Sequence, residues 1–393
     1  MKQTVKIRCK NNGETKEIAI GSTLKEAYEA FGLSMEFGPI NATVNNRTEG
    51  LNYRLYHNKD VEYFDLHSAT GERCYMRTLF FVLCKSVHDL YPDSKVVIDI
   101  PVSNGYYCNL MLGHDVTETD VVRIRERMRQ LIDAKLPIRR YEVPTEEAVR
   151  IFSSRGDKAK AKLLRSTGKL YTTYDEIDDY VDNVYGTLLT NTSQLTLFGL
   201  EKYFDGALLR LPSRQNPAEL GALIRQDKMF DIFKEQHRWN RILGVSTVGD
   251  FNEAVRSGQT TGLINVSEAL QEKKIASIAE QIAHRQGTRV VLIAGPSSSG
   301  KTTFCKRLSI QLVTCGIKPI QISLDDYFVD RHLTPKDENG EYDYESVHAL
   351  NIPLLNEQLQ QLFEGKTIEL PKYNFQTGKS EKSGKRLQLG DNQ

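Results

Sequence analysis

Residues 290–303 read VVLIAGPSSSGKTT, and this stretch decides how the last part of the chain is built. Val290–Ala294 is a short, wholly apolar run, as expected of a strand buried on both faces of a parallel sheet. It leads directly into Gly295-Pro296-Ser297-Ser298-Ser299-Gly300-Lys301-Thr302, which satisfies the phosphate-loop pattern G-x-x-x-x-G-K-[ST]. Gly295 and Gly300 permit a tight turn in which successive N–H groups point into one concavity that accepts phosphate oxygens. Lys301 would reach the β- and γ-phosphates of ATP, and the Thr302 hydroxyl would ligate Mg²⁺. With Thr303 in the following turn, 295–303 is the candidate ATP-binding segment. Phe304, Leu308 and Leu312 then recur at helical spacing. A glycine turn carrying a solvated lysine is the bland alternative; the flanking strand and helix patterns weigh against it.

Geometry points to the next candidate. A helix from Lys301 to about Thr314 runs ~21 Å down a sheet, and Lys318–Ser323 returns ~20 Å as a strand. A right-handed crossover places the end of that second strand beside the phosphate loop, where open α/β sheets hold their sites. The residues there are Leu324-Asp325-Asp326-Tyr327-Phe328. A carboxylate at this place, Asp325 before Asp326, can take a proton from an acceptor hydroxyl and help hold Mg²⁺. An aspartate at a strand end also simply caps a turn.

Working towards the N-terminus, Ser267–His284 is helical, with Leu270, Ile275, Ile278 and Ile282 on one face and Gly287 as its stop. Residues 216–287 read as a helical connector that opens at Asn216-Pro217. Upstream, Thr117 caps an amphipathic helix with Val121, Ile124, Met128 and Leu131, and another helix follows Pro144-Thr145 until Gly156 interrupts it. Thr78–Leu90 predicts a buried helix and Lys95–Ile100 a strand, and Asn104-Gly105 a turn into a strand over Tyr106–Leu110. The first residues are β-rich. Gln3–Cys9 alternates, Asn11-Asn12-Gly13 turns, and Glu17–Ile20 resumes with Ile18 and Ile20 inward. Ser22 is placed to cap a helix carrying Leu24, Ala27, Tyr28 and Phe31, ended by Gly32, before extended runs at Asn41–Val44 and Leu51–Leu55.

Length and composition bound the rest. The chain has 393 residues, enough for two or three domains, and is 39% hydrophobic and 26% charged, as expected of globular domains. Lys and Arg number 52 against 51 Asp and Glu, a formal net charge of +1, which excludes a wholly basic polyanion binder. No apolar run approaches the ~20 residues of a membrane span, and MKQTVKIRC has no signal-peptide core. The six cysteines form no CxxC pair, so reduced thiols in the cytoplasm are expected. Cys305 and Cys315 read as small packed hydrophobes. Arg123, Arg125, Arg127, Arg129, Arg139 and Arg140 cluster around one helix: a solvated face balanced by Glu118 and Glu126, or a local RNA contact. His67 and His88 are unpaired in sequence and carry no metal signature.

Taken together, GPSSSGKTT (295–303), ISLDDYF (322–328), YDYES (342–346) and LPKYNF (370–375) resemble the uridine kinase/phosphoribulokinase family of P-loop kinases, above all its uridine kinase branch. The resemblance runs from about Thr288 onward, a quarter of the chain. It implies ATP and Mg²⁺ as cofactors, a nucleoside-like acceptor, and Asp325 as the base for the 5′-hydroxyl. It also implies Phe328 as the aromatic beyond that base, Glu345 against the ribose, and Tyr373 stacked on the base. A phosphorylated sugar is the alternative acceptor. Two departures stand out: the family's Y-D-F is Tyr373-Asn374-Phe375, and its pyrimidine-reading His falls on Gly378. The family's next strand, an acidic E-G-I, would follow Leu389-Gly390-Asp391-Asn392-Gln393, so the sequence is expected to be part of a longer protein.

The first 66 residues resemble a TGS domain, a β-grasp module. Residues 67–215 resemble the second additional domain of threonyl-tRNA synthetases, through Met76–Pro92, Asn104-Gly105-Tyr106-Tyr107, Arg155-Gly156-Asp157 and Tyr180-Val181-Asp182. The metal-competent set of the editing domains falls on Arg77, Phe81, Val184 and Leu188, which cannot ligate a metal, so a retained fold without editing chemistry is implied. The expected fold class is thus multidomain α+β and α/β: a TGS-like domain (1–66), a synthetase-editing-like domain (67–215), the helical connector (216–287) and a partial P-loop kinase domain (288–393). The front modules would be regulatory or binding elements. The rival reading is a tRNA- or ribosome-associated nucleotide-binding module without kinase turnover.

Overall fold

The computed structural model describes residues 3–390 and 393; Met1, Lys2, Asp391 and Asn392, which enter the readings of the two ends, lie outside the described residues. The chain forms two compact units, residues 1–260 and 261–393. The expected connector is divided between them.

The first unit opens with β1 (Thr4–Cys9), β2 (Thr15–Ala19), α1 (Leu24–Phe31), β3 (Asn41–Val44), β4 (Arg47–Gly50) and β5 (Lys59–Phe64). The strands make a five-stranded sheet in the order β2-β1-β5-β3-β4, with β1 and β5 parallel. Val5, Ile7 and Cys9 alternate inward and meet Leu24, Ala27, Tyr28 and Phe31 of α1. Ile20 does not join them. β2 ends at Ala19, and Ile20 is 40% exposed. The cap of α1 is Thr23 rather than Ser22, in a reciprocal pair with Glu26, and Gly32 closes the helix in the left-handed conformation. Leu51–Leu55 forms a turn with buried Leu51 and Leu55, so the chain pairs instead through Arg47–Gly50 and through Lys59–Phe64, a strand the sequence reading missed.

α2 (Ala69–Leu90) begins a turn or more before the expected Thr78, because Ser68 caps it through Gly71 N–H. β6 (Lys95–Val102) and β7 (Gly105–Met111) meet across a turn in which Ser103 and Asn104 have φ of 56° and 54°, as a primed hairpin turn requires. α3 (Glu118–Asp133), β8 (Arg139–Pro144), α4 (Thr145–Ser154), α5 (Lys158–Thr167), β9 (Tyr171–Ile177), β10 (Tyr180–Asp182), β11 (Gly199–Tyr203) and β12 (Gly206–Arg210) follow. The sheet β11-β12-β7-β6 is antiparallel and buried on both faces. Cys108, Leu110, Ala207 and Leu209 face α2 and α3, while Tyr107 and Leu208 meet Phe230 of α6 (Asp227–Ile242). A second sheet, β10-β9-β8, carries α4 and α5 on one face. α7 (Val248–Arg256) packs against α5, with Lys162 bridging to Asp250 and Glu253 at 2.9 and 2.8 Å.

Asp120 ties α3 to its surroundings. Its carboxylate accepts from Thr117 N–H at 2.9 Å, from the hydroxyls of Thr117 and Tyr91 at 2.7 Å, and lies 3.1 Å from His114 Nε2. Burial opposes the charge, but these bonds outweigh it and hold the carboxyl well below the ordinary range. A depressed folded-state pKa contributes stability above the unfolded value, about 3.9, that is lost as pH falls through the folded value. Asp120→Asn is therefore expected to cost about 1.5–3 kcal/mol at neutral pH. The gap in melting temperature between variant and parent should narrow as pH falls from about 4 and close only below the depressed folded value; circular dichroism melts at neutral pH and through the acid range check both.

In the second unit the expected helices form, but the expected parallel sheet does not. α8 (Thr260–His284) packs Ile275 and Ala279 against Leu308 and Leu312 of α9 (Lys301–Thr314). Val290–Ala294 and Lys318–Ser323 lie in no strand. A parallel strand exists only through ladders to its neighbours. Among the described residues, the backbone groups of 289–294 and 318–322 make no hydrogen bond to another backbone group. Val290, Val291 and Leu292 are accordingly exposed, Leu292 by 80%, where a sheet would have covered them. The unit ends in α10 (Ile352–Phe363) and an antiparallel hairpin, β13 (Ile368–Asn374) and β14 (Lys379–Leu387).

Candidate active site

The loop between Ala294 and α9 takes the shape its glycines allow. A Cβ on Gly295 would stand 2.8 Å from Ser299 Oγ, so a side chain there would push the serine hydroxyl aside. Ser298 and Gly300 have φ of 59° and 86°, and Ser299 N–H bonds to the Pro296 carbonyl at 3.3 Å. Lys301 Nζ turns back and donates to the carbonyls of Gly295 and Pro296 at 2.8 and 2.9 Å. The first helical N–H with a protein acceptor is that of Phe304, to Gly300 O. Among the described residues, the N–H groups of Gly300, Lys301, Thr302 and Thr303 have none, and no side chain caps α9. Four free donors at the positive end of a 14-residue helix, beside an ammonium group, form an anion cradle. The loop opens on a cleft of about 640 Å³ lined by Val291–Ala294, Ser299–Lys301, Thr303 and Phe304, with Ile275 and Ile278 of α8.

Asp325 and Asp326 lie on a single 3₁₀ turn, Leu324–Tyr327. Tyr327 anchors it: the ring is buried, its hydroxyl donates to Gln358 Oε1 on α10 at 2.7 Å, and its carbonyl accepts from Asn351 N–H. Burial, with the charge of Asp326 beside it, raises the Tyr327 pKa and keeps that donor protonated. The Asp325 side chain is left in solvent and, among the described residues, makes no hydrogen bond or ion pair. Phe328 sits at the centre of an aromatic group, with Tyr373, Tyr344 and Phe375 at 5.4, 5.9 and 6.2 Å between ring centres. Tyr373 is only 3% exposed, whereas Phe375 is 60% exposed. Glu345, next to Tyr344, is in solvent, its N–H held by Asp343. The structure therefore gathers 295–303 at one helix end, and Phe328 and Tyr373 with the neighbour of Glu345 in one ring cluster. Among the described residues, no hydrogen bond joins the two groups.

Sequence reading missed Arg331. Its N–H donates to Gly378 O at 2.8 Å and its guanidinium to Phe375 O at 2.6 Å. A Cβ on Gly378 (φ 68°) would lie 2.9 Å from Arg331 atoms. The bare position at 378 was the available signal.

In the first unit, of the four positions expected from the editing set, Phe81 and Leu188 are buried in one large hydrophobic core, Val184 packs against that core, and the Arg77 guanidinium lies over Gly186, 2.6 Å from where a Cβ would be. Burial raises the pKa of Cys74 in this region to about 12, leaving an inert thiol. Much of the arginine cluster is engaged internally. Arg127 pairs with Asp89, Arg140 bidentately with Asp175, and Arg123 lies over the Tyr91 ring. His67 Nδ1 lies 3.2 Å from Arg214 O, and His88 meets the Tyr180 ring.

Residues 290–389 match the model of the Phosphoribulokinase / Uridine kinase family. The N-terminal region matches threonyl-tRNA synthetases. The chain is 26% identical over 198 residues, 50% of its length, to a threonine–tRNA ligase of Acetivibrio thermocellus, covering 31% of that protein. It is 28% identical over 193 residues to the Syntrophomonas wolfei ligase and 26% identical over 205 residues to threonine–tRNA ligase 2 of Bacillus subtilis. These matches take in 49% and 52% of the chain and 30% and 32% of the relatives. The chain thus spans about a third of the length of the curated relatives it matches.

Proposed function

We propose that the second unit transfers the γ-phosphoryl group of ATP to a hydroxyl of a nucleoside. The observation that carries this is the start of α9, where, among the described residues, four N–H groups have no protein acceptor and Lys301 folds back over the loop. It fits a polyphosphate chain. Thr302 and Asp325, an exposed hydroxyl and an exposed carboxylate, are oxygen donors of the kind Mg²⁺ takes. When bound, Mg²⁺ offsets charge on the phosphates. The Gly295–Thr303 segment holds the phosphates, with Lys301 leaving its loop carbonyls for the phosphoryl oxygens. Asp325 takes the proton of the attacking hydroxyl. Phe328, Glu345 and Tyr373 form the acceptor end, with the ring cluster excluding water from one side. A phosphorylated sugar is the alternative acceptor. The decisive assay is transfer of labelled phosphate from ATP to a panel of nucleosides and sugar phosphates.

Residues 1–66, 67–215 and 216–287 would then be a TGS-like module, a synthetase-editing-like module and a helical connector, with regulatory or binding roles. Among the described residues, no helix is long and apolar enough to cross a membrane; a cytoplasmic location goes with the kinase reading. A second reading is favoured by the similarity to threonine–tRNA ligases: a transfer-RNA- or ribosome-associated module in which the loop binds nucleotide without turnover. It requires a salt-dependent tRNA affinity in a protein that transfers no phosphate.

A further inference from the structure

Asp325, the base of the reaction proposed above, is in solvent, and among the described residues its side chain makes no hydrogen bond or ion pair. Its position is therefore set by the backbone of the 3₁₀ turn Leu324–Tyr327 and by whatever holds that turn. Backbone bonds tie it to the start of α10: Asn351 N–H donates to Tyr327 O at 2.7 Å, and Val329 N–H to Ala349 O at 2.9 Å. A side-chain path reaches further. The Tyr327 hydroxyl donates to Gln358 Oε1 on α10 at 2.7 Å, and Gln358 Nε2 donates in turn to Glu369 O on β13 at 2.8 Å. Tyr327 is 1% exposed and Gln358 8%. Glu369 lies where the pairing of β13 with β14 shifts register, upstream of Tyr373 on the same strand.

One side chain thus joins the turn that carries the base to the strand that carries an acceptor-end ring. Both halves of its amide are used, the oxygen accepting and the nitrogen donating. An ionised glutamate could only accept, and a methionine of similar length offers no donor. A buried hydrogen-bonded chain makes the elements it links rigid, and misplacing a reacting group by ~1 Å costs about a hundredfold in rate. We infer that Gln358 is a positioning residue for phosphoryl transfer: through Tyr327 it fixes Asp325 relative to the acceptor end on β13. The inference rests on the nucleoside kinase reading above and adds to it a residue that acts from the interior of the unit.

A glutamine that served stability alone would slow the enzyme alike in every background. A positioning residue acts only while Asp325 is there to be placed, and the test uses that difference. It is single-turnover transfer from ATP with Mg²⁺ to the best nucleoside of the unaltered protein, measured for Gln358→Met and Tyr327→Phe, alone, combined, and each with Asp325→Asn. Gln358→Met removes both bonds and should slow transfer about 10- to 100-fold. ATP affinity should stay within about twofold, since the phosphate loop leads into α9. Tyr327→Phe cuts the chain at its other end, and the two together should be no slower than Gln358→Met alone. With Asp325→Asn present, Gln358→Met should change the residual rate by less than about twofold.

A folded Gln358→Met protein that transfers at the parent's rate overturns the inference. So does an equal slowing by Gln358→Met with and without Asp325, which marks a general loosening of the unit. Where Gln358→Met does not fold, Tyr327→Phe carries the same comparison, and failure of both to fold assigns the chain to stability and overturns the inference. Full transfer in the variants removes this inference alone; absence of transfer to every nucleoside by the unaltered protein removes the reading beneath it.

Discussion

Asp325→Asn is expected to lower kcat for phosphoryl transfer by about 10²- to 10⁴-fold, the range a positioned general base supplies. Asparagine keeps the size and the hydrogen-bonding oxygen but cannot take the acceptor's proton. The 3₁₀ turn that carries Asp325 is anchored through Tyr327 and Gln358, not through the aspartate, which is in solvent. The variant should therefore fold with an unchanged melting temperature and bind ATP with little change. Asp326→Asn serves as the contrast. Its side chain is half-buried on the same turn, and its loss should cost far less activity. Steady-state kinetics on the two variants decide the assignment: a fully active Asp325→Asn protein beside an inactive Asp326→Asn protein moves the base by one residue.

Lys301→Ala is expected to reduce kcat/KM by about 10²- to 10³-fold, as when one preorganised electrostatic group is removed from a developing charge. In the free protein the ammonium bridges the carbonyls of Gly295 and Pro296 and so also holds the loop closed. Losing it removes both the charge and part of the preorganisation, so nucleotide affinity should fall as well. Folding should not suffer. A cation in the first turn of a helix opposes the macrodipole, and its removal is neutral or slightly stabilising. Titration with ATP and a thermal melt, run side by side, separate the two effects. Unchanged nucleotide affinity in a folded Lys301→Ala protein would contradict the role given to the loop.

The local structure was largely legible in the sequence, the sheets less so. Thr117 as a cap, Gly32 and Gly156 as stops, and the helix over 301–314 all follow from side chains and glycines acting within one turn. Errors came where a neighbour in space decides. Ile20 reads as inward by alternation, but β2 ends one residue earlier. Val290–Ala294 has the composition of a buried strand, yet composition cannot provide the adjoining strands that make one. The candidate site divides the same way. The phosphate loop is contiguous, so 295–303 could be read directly. The aromatic cluster joins residues 328, 344, 373 and 375, and Arg331 reaches Gly378 across a hairpin; nothing in local periodicity announces such contacts.

The most direct measurement is transfer of γ-labelled phosphate from ATP with Mg²⁺ to a panel of nucleosides, with sugar phosphates and tRNA binding in parallel. Labelled nucleoside monophosphate is the expected product, lost on chelating Mg²⁺ and in the Lys301→Ala protein. ATP binding without transfer to any nucleoside, alongside a salt-dependent affinity for tRNA, would contradict the kinase reading.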